Sequence, residues 1–113
     1  MQQVTFQETT DKTFDHLILS TPEQKMVAFI SSTCSACIGI RETLQKVQLQ
    51  CPPGAFDIFI HQTDQYPGNM FYYGVSQLPT LIFFKEGDEF FRYTGHPVSI
   101  DYFFTELRKA QVI

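Results

Sequence analysis

The sequence predicts an α/β protein, with a mixed central sheet of four to five strands covered by helices on both faces. Three observations lead there. Short apolar runs alternate with segments whose apolar residues recur every three or four positions, as strands do with amphipathic helices. Late in the chain two strand-like runs are separated only by "KEGD", so part of the sheet must be antiparallel. With 113 residues and 43% hydrophobic content, the chain suits one domain whose core needs no disulfide staples. That domain is expected to span 1–113.

Each element has its own warrant. Val4 to Gln7 reads as a short first strand. Thr10 or Asp11 caps a helix in which Phe14, Leu17 and Ile18 fall at i, i+3 and i+4. Thr21-Pro22 closes it. Met26 to Ser31 is a nearly continuous apolar run, as a strand buried on both faces would be. After Cys34 the pattern turns helical: Cys37, Ile40, Leu44 and Val47 lie on one face, with Arg41, Glu42, Gln45 and Lys46 opposite. "CPPG", Cys51 to Gly54, breaks the chain before a strand over Phe56 to Ile60. "QYPGN" turns, and Asn69 to Tyr73 forms a short helix with Gly74 at its end. Leu81 to Phe84 and Glu89 to Tyr93 form a hairpin with Gly87 in its turn. Ser99 caps a last helix whose Ile100, Phe103, Phe104 and Leu107 make one stripe. The 12 Phe residues, including Phe83-Phe84 and Phe103-Phe104, are then mostly core filling.

Composition removes several function classes. The net charge is -4 and the eight Lys and Arg are scattered, which leaves no footprint for nucleic acid or an anionic membrane. No apolar run approaches the roughly 18 residues of a membrane span. The opening "MQQVTFQETTDK" lacks the basic and hydrophobic regions of a signal peptide, so a cytoplasmic location is expected. A monomer is expected too.

Chemistry concentrates at Cys34 and Cys37, with only Ser35 and Ala36 between them. That spacing suits a redox switch, half a metal site or an ordinary buried pair. A structural zinc site needs four ligands, and here no second pair exists and His16, His61 and His96 stand isolated. A metal or cluster site shared across a dimer is the remaining metal reading. Three cysteines are too few, and odd in number, for a disulfide framework. In a reducing compartment a close pair is more often catalytic or metal-binding than structural. The pair falls where the buried strand gives way to a helix, and a helix N-terminus carries unpaired N–H groups and partial positive charge. Thiol pKa values in such settings fall from about 8.5 to between about 3.5 and 7.5. Cys34, exposed at the helix mouth, is therefore the expected nucleophile. Cys37, one turn in and on the apolar face, is the resolving thiol. Cys51, with Pro52 and Pro53 after it, reads as a passive thiol.

From about Thr10 to Ala110 the chain resembles the thioredoxin family. The resemblance is carried by Cys34-Ser-Ala-Cys37 together with "DQYPGNMFYYGVSQLPTLIFFKEGDEFFRYTG", Asp64 to Gly95. It implies a thioredoxin-like fold and a cis peptide before Pro79, facing the cysteine pair. The Leu78 backbone would lie extended beside Cys34, where a substrate segment could add as a strand. The implied groove takes in Thr33, Ser35, Ala36, Gln77, Leu78, Pro79, Thr94 and Gly95. His96 belongs to the implied groove as well and is read as a solvated side chain before Pro97, with electrostatic tuning of the site as the alternative. The resemblance implies a protein-disulfide oxidoreductase that acts on protein disulfides, is recharged by an upstream thiol reductant, and needs no metal or organic cofactor.

The departures from the family pattern are specific. Thr33 replaces a Trp, Ser35-Ala36 replaces Gly-Pro, Ala28 replaces a buried Asp, and Ile60 replaces the neighbouring Lys. Losing the buried Asp removes a proton acceptor from the resolving step, so slower release of mixed disulfides is expected. These changes suggest a specialised member of the family. A binding module for a dedicated partner, with secondary or no redox turnover, is the alternative.

Overall fold

Every residue of the strand Lys25–Ile30 is buried, and the rest of the molecule is arranged around it. The computed structural model describes residues 5–113. Among the described residues five strands form one sheet: β1 (Gln7–Thr9), β2 (Lys25–Ile30), β3 (Asp57–Gln62), β4 (Thr80–Lys85) and β5 (Asp88–Thr94). Their order across the sheet is β1-β3-β2-β4-β5. β1 and β2 both run parallel to β3, whereas β4 is antiparallel to β2 and β5 to β4. The mixed sheet expected from the sequence is therefore present.

Alternation along β2 divides the core. Met26, Ala28 and Ile30 face α1 (Ile40–Gln50) and α3 (Ile100–Lys109), packing with Leu44, Val47, Phe103 and Leu107. Val27 and Phe29 face the other way, beneath Phe14 and Ile18 and beside Val75, which follows α2 (Gly68–Tyr72). A strand with both faces covered must be apolar throughout, which is why Lys25–Ile30 reads as a run and not as an alternation. Phe83, Phe84, Phe103 and Phe104 are all core residues, as expected.

The helix ends explain the rest. Ser99 Oγ accepts a hydrogen bond from the Tyr102 amide at 3.2 Å, the cap the sequence predicts for α3. Glu86 and Gly87 join β4 to β5 with φ of 55° and 81°. A two-residue turn with both φ values positive matches the twist of a hairpin.

Three expectations need correction. The first strand is Gln7–Thr9, displaced toward the C-terminus, and Val4 lies outside the described residues. The first helix is a single π-type turn, Asp15–Leu19. Thr10 does bond to the Thr13 amide, but the Asp11 carboxylate reaches across the fold to cap α2. It accepts from the amides of Gly68 (2.9 Å) and Asn69 (3.0 Å), contacts no local reading could find. His61, isolated in sequence, is fully buried between Thr9 Oγ1 (2.7 Å from Nδ1) and the Tyr66 carbonyl (2.9 Å from Nε2). It is a satisfied core histidine.

Candidate active site

The site is built at the C-terminal end of β2. The Ile30 carbonyl accepts from the Thr63 amide (2.8 Å) and the Thr63 hydroxyl (3.0 Å), which ties the ends of β2 and β3 together. The loop after β2 is closed by local bonds: Thr33 N–H to Ser31 Oγ at 3.2 Å, and Cys34 N–H to the Ser31 carbonyl at 3.2 Å. From the far side, the Asp64 carboxylate accepts the Ser32 hydroxyl hydrogen bond. That bond holds the Asp64 carboxyl below its ordinary range, since hydrogen bonds to the charged form favour it.

The helix expected to begin directly after Cys34 begins at Ile40. Ser35–Cys37 is a separate 3₁₀ turn, closed by Cys37 N–H to the Cys34 carbonyl at 3.1 Å. Between the two, Ile38 is extended and Gly39 is left-handed, with φ of 78°. The local chemistry permits this break, because glycine takes positive φ freely and β-branched isoleucine is at ease in extended backbone. Apolar spacing could not reveal it, because Cys37 stays on the buried side (6% exposed) with Ile40 and Leu44. The positive end of α1 is consequently displaced from Cys34. Next to Cys34 stands the start of a short turn, with its leading amides at Ser35 and Ala36.

Cys34 and Cys37 are joined as a disulfide, with Cα atoms 5.3 Å apart. Cys34 is half-buried, the more accessible of the two, as expected. Its Sγ lies 3.6 Å from the Leu78 carbonyl oxygen, and the Leu78–Pro79 peptide bond is cis. The Gly95 amide donates to the Pro79 carbonyl at 2.8 Å, while Thr94 stands opposite Thr80 in the β4–β5 pairing. Leu78, Pro79, Thr94 and Gly95 are thus gathered on one side of the disulfide. Ser35 and Ala36 are exposed on the turn itself. Thr33, also exposed, turns its hydroxyl to Ser31 Oγ at 3.0 Å. Gln77 is exposed and its carbonyl accepts the Thr80 hydroxyl. Neither Thr33 nor Gln77 meets a cysteine in these bonds. Beside the disulfide opens a cleft of about 320 Å³, bordered by Cys34, Cys37, Ser32, Arg41 and Glu42.

His96 is not the solvated side chain expected. Its Nδ1 lies 3.1 Å from the Ala36 carbonyl oxygen and its Nε2 lies 2.7 Å from Thr43 Oγ1. The ring therefore touches the dithiol turn on one side and α1 on the other. Ser32, Thr43, Thr63 and Asp64 are further residues that sequence reasoning passed over. They come from three separate segments, the loop after β2, α1 and the end of β3, and only chain folding brings these together.

Cys51 is half-buried and unbonded, and burial pushes its thiol up to about 11. An ionised sulfur is disfavoured there, in keeping with a passive role. Among the described residues, no group of three or more His, Cys, Asp or Glu is placed to hold a metal ion. Among them, too, no helix is long and apolar enough to cross a membrane.

Paired cysteines at the end of the central strand of such a sheet define a class, the redox proteins of the thioredoxin fold. The family comparison agrees: the thioredoxin family model matches residues 5–107, and the chain belongs to the thioredoxin family. A search of curated proteins found no match. Family and cysteine pair together support a thiol–disulfide redox role in general.

Proposed function

We propose that the protein is a thiol–disulfide oxidoreductase that reduces protein disulfides through Cys34 and Cys37. The observation that carries this reading is the asymmetry of the pair. Cys34 is accessible beside the Leu78 carbonyl, and Cys37 is buried behind it. In the reduced protein the Cys34 thiolate attacks one sulfur of a substrate disulfide. The substrate S–S bond breaks, a mixed disulfide forms, and the departing thiolate takes up a proton. Cys37, once deprotonated, attacks Cys34 Sγ. The Cys34–Cys37 disulfide forms and the second substrate thiolate leaves. Two electrons pass to the substrate, and a separate thiol reductant restores the dithiol. The backbone of half-buried Leu78, beside Cys34, is suited to hold an extended substrate segment by added-strand hydrogen bonds.

Because α1 starts at Ile40, thiolate stabilisation at Cys34 rests on the amides leading the short turn. Cys34 is expected to ionise below a free thiol, yet less readily than at the mouth of a full helix.

The test is insulin-disulfide reduction. Cys34→Ser is expected to abolish it, and Cys37→Ser to accumulate mixed disulfides. Equal activity in wild type and Cys34→Ser would remove the reading. One observation favours a second reading, a binding module for a dedicated partner: fully buried Ala28 and Ile60 are apolar at the positions where the resemblance implies a buried Asp, the proton acceptor, and its neighbouring Lys. Partners that survive both reductant and loss of both cysteines in a pull-down would support it.

A further inference from the structure

We infer that His96 is a positioning residue for the Cys34–Cys37 couple, its imidazole splicing the dithiol turn to α1 across the break at Ile38–Gly39. The inference rests on the redox reading above and adds a determinant of how favourable the disulfide is.

The need for a splice comes from the backbone. In a continuous helix the Ala36 carbonyl would accept from the amide four residues on, that of Ile40. Left-handed Gly39 interrupts that ladder. The turn is left with few backbone bonds of its own, from Cys37 to Cys34 and from Ile38 to Ser35. The imidazole supplies what the ladder lacks. A carbonyl only accepts, so the network makes Nδ1 the protonated nitrogen and Ala36 its acceptor at 3.1 Å.

The other nitrogen is anchored without depending on ring charge. Thr43 Oγ1 is 2.7 Å from Nε2 and 3.2 Å from the Gly39 carbonyl. With a neutral ring, the Thr43 hydroxyl donates to Nε2. With a protonated ring, Nε2 donates to Thr43 Oγ1 and the hydroxyl turns to Gly39. Each state keeps both ring contacts, so the brace is retained whichever form the ring takes.

The consequence falls on the sulfur chemistry. Ala36 lies between the two cysteines, and fixing its carbonyl restricts the turn in which they pair. Loosening that turn lowers the effective concentration of one thiol at the other. The disulfide becomes less favoured and the couple more oxidising.

The experiment measures the equilibrium constant of the couple against glutathione buffers for the full chain and its His96 variants. Asparagine places an amide N–H where Nδ1 stands, whereas glutamine reaches toward the Nε2 position. His96→Ala is expected to make disulfide formation up to about tenfold less favourable, about 30 mV for this two-electron couple. His96→Asn is expected within about twofold of wild type, and His96→Gln close to the alanine variant. Should His96→Ala fail to fold, the asparagine and glutamine variants decide alone. The inference is overturned if alanine and asparagine give the same constant, or if glutamine restores it as well as asparagine does. A wild-type pair that never exchanges with glutathione would instead sink the redox reading, and this inference with it.

Discussion

Ala28 lies directly across from Ile60 in the parallel pairing of β2 with β3, and neither side chain reaches solvent. Both belong to the core cluster that includes Cys37. The dithiol therefore rests on a dry, uncharged floor. Such a floor avoids the desolvation cost of a buried ion pair, and it offers no acceptor for the proton of Cys37.

A carboxylate placed in this floor is expected to be costly. Ala28→Asp should lower stability by about 3–5 kcal/mol, because the charge is buried without a partner. Adding Ile60→Lys should recover part of the loss. A double-mutant cycle by urea denaturation measures the coupling. The same aspartate should quicken resolution of a trapped mixed disulfide, and purely additive stabilities would count against the two positions meeting.

The β4–β5 hairpin makes a sharper steric prediction. Gly87 has φ of 81°, and a Cβ added there would stand 2.7 Å from the Leu19 carbonyl oxygen. Gly87→Ala should cost at least about 1–2 kcal/mol from the backbone conformation alone, with the clash added. Thermal or denaturant unfolding checks it, and a neutral result would mean that the hairpin can move off Leu19.

Acid should loosen the loop before the dithiol. The Asp64 carboxyl is held below its ordinary value of 3.8, chiefly by the Ser32 hydroxyl. A depressed carboxylate contributes stability above its unfolded pKa and loses it as pH falls through the folded value. Ser32→Ala should return Asp64 toward 3.8 and remove that acid-dependent part. An NMR titration of the Asp64 side chain in both proteins reads the shift directly.

Cys51 should stay silent toward alkylating agents under conditions that label Cys34 in the reduced protein. Its thiol ionises near 11, against an ordinary 9.0, because burial opposes the anion. By linkage, its contribution to stability is complete below pH 9.0 and declines as pH rises toward 11. Mass mapping after iodoacetamide treatment at neutral pH is the check, and rapid labelling of Cys51 in the folded protein would refute the assignment.

Local patterns carried the fold well, since burial imposes a period. Ile40, Leu44 and Val47 are buried on α1, as are Phe103, Phe104 and Leu107 on α3, where the three- and four-residue steps put them. The hairpin was legible in Gly87 and the α3 cap in Ser99, because both depend on neighbouring residues alone. The first helix was less so. Asp11 looks like a cap for the adjoining segment but serves α2, and nothing nearby in the chain marks that choice.

Cys34, Cys37 and their order of exposure were determined by the sequence itself, because a short spacing at a strand end leaves little freedom. The break at Gly39 and the brace from His96 to Ala36 and Thr43 were decided only by tertiary structure. The physical reason is range. Hydrophobic spacing registers which side of a segment is buried, not whether its backbone is continuous. A hydrogen bond between residues distant in the chain leaves no periodic trace in either segment.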